Sequence, residues 1–226
     1  MRMTPDMKVV FLDLDGTLTD AGHGILNCVS YALDKMGLPP FEGEGAWMIG
    51  PPLWDSFRTL GVPEQDLDRA VFLYRERYEV SGWLENGLYD SILDQLAELK
   101  DAGYRLCLAT AKPLYAASKI TAHYGIAQYL TQEFGSHDDG GLSDKTSLIA
   151  HGMATLKVKA SDCIMVGDRK YDIIGARNNG LKAVGTLYGY GSLQELTEAG
   201  AEEIITHPSD LARSIKKHLP TDEAHR

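Results

Sequence analysis

Short apolar runs of β-forming residues alternate with helical stretches along most of this chain, and that alternation leaves few folds open. Val9-Val10-Phe11-Leu12 and residues 105–109, 163–166 and 182–184 each read as a buried strand. Ile92, Leu93, Leu96 and Leu99 share one face of a helix that stops at Gly103. Residues 114–124, 145–156 and 173–179 carry further helical patterns. Strands alternating with helices imply βαβ units, so the expected fold is α/β: a Rossmann-like parallel sheet flanked by helices.

Residues 21–86 break the alternation. They read as helical over 25–36, 46–60 and 67–81, with Gly50-Pro51-Pro52 interrupting the middle stretch. The expected organisation is a core of residues 1–20 and 87–226 with a helical insert of residues 21–86 after the first strand. The crossings between them fall near residues 19–24 and 86–89. All three tryptophans, Trp47, Trp54 and Trp83, lie in the insert, where a small core calls for large side chains. Residues 221–226 read as a frayed tail.

Asp13-Leu14-Asp15-Gly16-Thr17 follows the first strand directly. Ligands of open α/β sheets bind beyond the carboxyl ends of the strands, where both carboxylates would point. Two aspartates so close repel each other unless a cation or a shared proton intervenes, and magnesium prefers such hard oxygen ligands. An Asp-Gly turn alone is common in loops. Here, however, the second strand runs into Thr110-Ala111-Lys112-Pro113, Lys145 opens a later helix, and the third strand ends at Gly167-Asp168-Arg169-Lys170-Tyr171-Asp172. Polar groups at several strand ends on one rim are hard to explain as separate helix caps.

The formal net charge of -10 repels nucleic acid and phosphorylated metabolites alike at long range. A phosphate site must therefore be built from local positive groups or a bound cation. A nucleic acid polymer is not an expected partner. Three cysteines, Cys28, Cys107 and Cys163, give no even-numbered disulfide framework, and no Cys/His cluster suggests zinc. They fit a reducing cytoplasm. Residues 1–7 hold no apolar stretch of the signal-peptide kind, and no apolar run approaches membrane-span length, so no membrane association is expected.

With these residues in place, the chain resembles the haloacid dehalogenase superfamily over nearly its whole length. Asp13-Leu14-Asp15-Gly16-Thr17-Leu18 matches the first family motif, Thr110 the second, Lys145 the third, and Gly167-Asp168 with Asp172 the fourth; the helical insert matches the family's small cap. The resemblance implies a magnesium-dependent phosphatase. Asp13 would attack phosphorus and form an aspartyl-phosphate, and Asp15 would serve as acid and then base. It implies Mg2+ held by Asp13, Asp168 and the main-chain carbonyl of Asp15, with Asp172 in support. Catalysis would then rest on Asp13, Asp15, Thr110 and Lys145, with phosphate oxygens held by Gly16, Thr110, Ala111 and Lys145. An aspartate at position 15 favours phosphate over halide chemistry, since halide leaves without a proton.

Thr110-Ala111-Lys112-Pro113, Ile49-Gly50-Pro51-Pro52-Leu53 and residues 167–191 resemble phosphoglycolate phosphatases and the related nucleotidases more closely. A phosphoglycolate-phosphatase-like enzyme is the leading expectation, with a nucleoside 5'-monophosphate phosphatase next and a phosphosugar mutase behind it. Phosphoglycolate would call for a cation, with His23, Lys35 and Arg58 as candidates on the insert. A nucleotide would call for an aromatic platform, with Trp47, Trp54 and Phe57 flanking the Gly50 turn. Lys112 reads equally as a substrate-side cation, a structural cation or a surface lysine. The expected partner is a small phosphorylated metabolite, and the expected state a monomer or homodimer. A kinase-like nucleoside triphosphatase is excluded because no GxxxxGK[ST] loop is present, the nearest run, 175–182, failing the pattern. A pure binding module would have no use for a nucleophile and an acid/base.

Overall fold

The computed structural model describes residues 7–137 and 141–221. The chain begins with β1 (Val9–Leu12), then the short β2 (Thr19–Asp20). Three helices follow: α1 (Gly22–Lys35), α2 (Leu53–Thr59) and α3 (Leu67–Val80). After the short β3 (Gly87–Leu88) come α4 (Ile92–Asp101), β4 (Arg105–Pro113), α5 (Leu114–His123), β5 (Leu130–Ser136) and α6 (Lys145–Leu156). The remainder is β6 (Cys163–Gly167), α7 (Lys170–Asn178), β7 (Lys182–Thr186), α8 (Leu193–Ala199), β8 (Glu203–Ile205) and α9 (Leu211–His218).

Six strands form one parallel sheet in the order β5-β4-β1-β6-β7-β8. β1 is central and buried on both faces, which is why its sequence is a continuous apolar run rather than an alternation. Val10 and Leu12 point to one face, under α4, α5 and α9 through Leu96, Ile120 and Ile215. Val9 and Phe11 point to the other, under α6, α7 and α8 through Leu148, Ile173 and Leu196. Helices therefore cover both faces, as the alternation of strands and helices predicts. Among the described residues no helix is long and apolar enough to cross a membrane. All three cysteines are free and buried.

A third apolar cluster belongs to residues 21–78. Ile25, Cys28, Val29, Ala32 and Leu33 recur at helical spacing on α1 and meet Phe57 of α2 and Tyr74 and Tyr78 of α3. Ala116 of α5 joins this cluster from the sheet side. The chain enters this helical layer at β2 and leaves it at β3, and the two crossings pair antiparallel, Thr19 with Leu88 and Asp20 with Gly87.

Several boundaries differ from expectation for local reasons. The stretch 46–60 is not one helix: a 3-10 turn at Ala46–Met48 is separated from α2 by Gly50, at φ 107°, and by Pro51-Pro52. β4 runs on to Pro113 because its ladder with β5 continues, through a register shift, beyond the apolar residues. α7 starts at Lys170 rather than 173, because the Asp172 carboxylate accepts a hydrogen bond from the Arg169 N–H at 3.1 Å and caps the first turn. The tail expected over 221–226 falls, beyond Thr221, outside the described residues, as do all but Met7 of residues 1–7, where no signal peptide was expected.

The C-terminal helix is fastened by one carboxylate. Glu203 on β8 accepts from Ser214 (2.8 Å), Arg213 (3.1 Å), His218 (3.0 Å) and Lys217 (3.4 Å). Burial alone would raise its pKa, but these partners outweigh it and hold the group at about 2. A depressed folded-state pKa gives stability that is present above the unfolded value and lost as pH falls toward 2. Glu203→Gln is expected to lower the Tm at pH 7 by about 2–4 °C, the shift that about 1 kcal/mol gives in a chain of this size. It should also flatten the acid limb of the Tm profile below pH 4.5, the ordinary glutamate value. Calorimetry across pH checks both.

Candidate active site

The strand order reverses at β1: β4 and β5 extend the sheet on one side, β6 to β8 on the other. Crevices at such switch points, beyond the carboxyl ends of the strands, are where open α/β sheets bind ligands. Asp13 leaves β1 there, with its N–H donated to the Val166 carbonyl of β6 at 3.0 Å. The chain then turns tightly, the Leu14 carbonyl accepting from Thr17, Leu18 and Thr19 at 3.2, 2.9 and 3.0 Å. Gly16 sits in this turn at φ 86°, and a Cβ on it would stand 2.2 Å from Asp168 Oδ2. Only glycine admits that approach. The Gly16 N–H donates to the Thr19 carbonyl at 2.7 Å. The amide that the resemblance assigned to phosphate is thus engaged by the turn itself.

Lys145, the first residue of α6, is buried at the centre of the site. Its ammonium lies 2.8 Å from Asp13 Oδ1 and 2.6 Å from Asp172 Oδ1 and donates to the Ala109 carbonyl at 2.9 Å. Asp144 caps the helix by accepting from the Ser147 N–H at 2.9 Å, which fixes where Lys145 leaves the backbone. Burial would lower the lysine's pKa, but Asp13 and Asp172 outweigh it and keep the group cationic well above neutrality.

One cation does not balance the acids around it. Asp13, Asp168 and Asp172 each offer an oxygen within 4.8 Å of the others, and all three are buried. Asp168 is fully buried; burial first, then Asp172 and Asp13, push its pKa well up. Asp172 is raised too, by burial against the pull of Lys145. Asp168 Oδ2 accepts from the Tyr190 N–H at 2.8 Å, while Oδ1 is buried with no hydrogen-bond donor. An unsatisfied buried carboxylate oxygen costs about 1–3 kcal/mol or more. A donor set made only of hard oxygens with such an atom in it fits a divalent cation of the magnesium type.

Asp15 has a different partner. Its Oδ2 is 2.5 Å from the Lys112 ammonium, which also lies 5.0 Å from the ring centroid of Tyr78 on α3. Burial would lower the pKa of Lys112, and Asp15 with Tyr78 raises it further than burial lowers it. Lys112 is therefore a cation of the site, its side chain 9% exposed, and not a surface residue. The Thr110 hydroxyl accepts from the Lys112 N–H at 3.3 Å.

Asp13, Asp15, Thr110, Ala111, Lys145 and Asp172 all line one cavity of about 370 Å³ between the sheet's edge and the helical layer. Asp168 lies beneath it. The residues expected to read the rest of a substrate fare less uniformly. His23, Lys35 and Arg58 do not line the cavity. Arg58 is exposed and paired with Asp55 and Glu64 at 2.6 and 2.9 Å. Phe57 is core and Trp47 packs edge-on against Phe41, so of the three aromatics only Trp54 reaches the cavity. Beside it stands Arg75 of α3, its guanidinium 5.4 Å from the Trp54 ring centroid. The periodicity of α3 reads as core; the signal for Arg75 was a cation next to the apolar face of Tyr74 and Tyr78. Arg169 was also missed as a link. It bonds Glu195 at 2.9 Å and donates to the Ile49 carbonyl, tying the loop after β6 to the Gly50 turn.

Fold and site together define a hydrolase of the phosphatase class. The chain belongs to the haloacid dehalogenase-like hydrolase family, whose model matches residues 9–186. It is 39% identical to a 5'-nucleotidase of Pseudomonas aeruginosa over 83% of this chain and 86% of that protein. It is 36% identical to the tyrosine-protein kinase PtkA of Mycobacterium tuberculosis over 90% of this chain and 70% of that one. A phosphoglycolate phosphatase of Vibrio parahaemolyticus is 30% identical over 93% and 96%. Among solved structures, a predicted phosphatase from Clostridium acetobutylicum superposes with a TM-score of 0.88 at 39% identity, covering 93% of this chain and 99% of that one.

The contact between Gly16 and Asp168 gives a direct test. Gly16→Ala places a methyl group against the Asp168 carboxylate and strains the turn. Displacements of about 1 Å at a catalytic centre cost about 10²-fold, so turnover of an aryl phosphate should fall by that order. Circular dichroism should show the fold retained.

Proposed function

We propose that the protein is a magnesium-dependent phosphatase that hydrolyses a small phosphate monoester through a phosphoryl group carried on Asp13. The observation that carries this reading is the buried cluster of Asp13, Asp168 and Asp172 with Lys145 bonded across it. Asp13 attacks phosphorus as the ester P–O bond breaks, and Asp15 gives its proton to the leaving oxygen. Water then attacks the phosphoryl group, Asp15 takes a proton back, and Asp13 and inorganic phosphate are released. Lys145 holds Asp13 in place and offsets charge on the phosphoryl oxygens, and Thr110 with the Ala111 N–H is the proposed cradle for those oxygens. Asp13, Asp168 and the Asp15 carbonyl would hold Mg2+, with Asp172 in support; bound there, the ion neutralises charge that develops on the transferred group. Residues 21–86 act as a cap over the core of 1–20 and 87–226. The three buried free thiols suit the cytoplasm.

For the leaving group, the cavity favours a nucleoside monophosphate over phosphoglycolate, reversing the order drawn from motifs. Trp54 and Arg75 line the cavity together, whereas none of the cations expected to bind a glycolate carboxylate does. A flat base can stack on the indole. Arg75, for which no carboxylate partner is seen among the described residues, is placed for polar edges or an anion. The Pseudomonas nucleotidase points the same way.

Asp13→Asn is expected to abolish turnover of an aryl phosphate and to prevent phosphoryl transfer to the protein. Chelation should silence the wild type, and magnesium should restore it. Normal turnover by Asp13→Asn would sink the mechanism. For the substrate, kcat/KM is expected to be higher for nucleoside monophosphates than for phosphoglycolate. Trp54→Ala should raise KM for the nucleotide about tenfold, within the about 1–3 kcal/mol that base stacking supplies. An unchanged KM in Trp54→Ala, or a preference for phosphoglycolate, returns the reading to phosphoglycolate.

A further inference from the structure

Gly189-Tyr190-Gly191 passes over the floor of the site so closely that side chains on either glycine are excluded. A Cβ at Gly189 would stand 2.3 Å from the Gly16 carbonyl oxygen and 2.4 Å from Asp168 Cβ, and one at Gly191 would stand 1.9 Å from the Asp168 carbonyl oxygen. Tyr190, between them, donates its N–H to Asp168 Oδ2 at 2.8 Å. Its side chain leads elsewhere. The hydroxyl donates to Asp20 Oδ1 at 2.6 Å and accepts from the Gly22 N–H at 2.6 Å. Both partners belong to the first crossing into the helical layer. Tyr89, at the second crossing, packs edge-on against Tyr188 at 5.0 Å between centroids, and the second crossing pairs with the first, Asp20 with Gly87. The Tyr190 ring packs against the apolar cluster of the helical layer itself.

One residue thus touches the deepest carboxylate of the site, the first crossing, to which the second is paired, and the layer they carry. We propose that Tyr190 is a positioning residue that couples the orientation of Asp168 to the setting of the cap's two crossings. The coupling rests on the reading of Asp168 as a cation ligand. The Tyr190 N–H occupies Oδ2, so Oδ1 is the oxygen left to face a cation. Any turn of the carboxylate toward a cation is felt at that N–H. The glycines leave the strap no slack against Asp168, so the displacement passes to the hydroxyl and from there to Asp20 and Gly22. Coupling of this kind is reciprocal in free energy: what the cation does to the crossings, the crossings do to cation affinity.

Tyr190→Phe keeps the N–H and the ring and removes only the hydroxyl. The test is magnesium binding by titration calorimetry, together with amide hydrogen exchange at residues 19–24 and 85–89 with and without saturating Mg2+. In the wild type, Mg2+ should slow exchange at both crossings by about fivefold or more, the low end of site-to-site coupling. Tyr190→Phe should still bind Mg2+ yet show no such slowing. Asp20→Ala, which cuts the link from its other end, should behave the same way. A tyrosine that merely packs would leave the magnesium-dependent slowing intact in either variant, and that result overturns the proposal. So does a wild type that binds Mg2+ with no change at the crossings. A wild type that takes up no Mg2+ in the calorimeter removes the cation reading of Asp168 and the coupling together, which separates that failure from the other two.

Discussion

A single buried ammonium holds this site in register. Lys145 reaches the Asp13 carboxylate after β1, the Ala109 carbonyl of β4 and the Asp172 carboxylate of α7 from the first turn of α6. Four elements that are distant in sequence therefore share one charge. In a low-dielectric interior, such a pair is stable only when geometry is good and the remaining polar atoms are satisfied. Here the lysine satisfies only part of the acidic set, and Asp168 Oδ1 remains without a donor. The fold supplies rigid positions, and the incomplete electrostatic balance leaves uncompensated negative charge among them.

The negative net charge of the whole chain makes this local arrangement more telling. A field of charge -10 does nothing to gather phosphorylated molecules. The positive groups that line the crevice, Lys112, Lys145, Arg169 and Arg75 of α3, are therefore what a phosphate ester meets on entry. Three of the four are already engaged by carboxylates. Arg75 rests instead on an aromatic face, where its N–H groups stay available to a ligand.

Much of the core was legible in the sequence because the central strands are buried on both faces. β1 and β6 stand out as unbroken apolar runs, and the polar residues that follow them stand out by contrast. The edge strands lacked that contrast. β5 carries Thr131, Gln132 and Glu133 on partly exposed positions, and β8 is only three residues long, so neither offered a period or a run to read. Asp13, Asp15 and Lys145 stand out in the sequence because they sit at or just beyond element boundaries, and Thr110 because the apolar run of β4 ends there although the strand continues to Pro113. Arg75 and Tyr78 sit inside a helix whose spacing is fully explained by packing, and what sets them apart is tertiary: the face of α3 that looks across at Lys112 and Trp54. The preference for His23, Lys35 and Arg58 failed for the same reason, since sequence tells which residues are cationic but not which side of a helical layer they occupy.

The paired crossings have a consequence for how such a chain can change. Thr19 and Asp20 run beside Leu88 and Gly87, so sixty-odd residues depart and return through one narrow two-stranded neck. No hydrogen-bonded rung of the six-stranded sheet passes through the excursion. The helical layer can thus be lengthened, shortened or resurfaced while the ladder that aligns Asp13 with Asp168 is left unaltered. The helical layer and the acidic cluster lie in separable stretches of the chain, joined in main chain at that one neck.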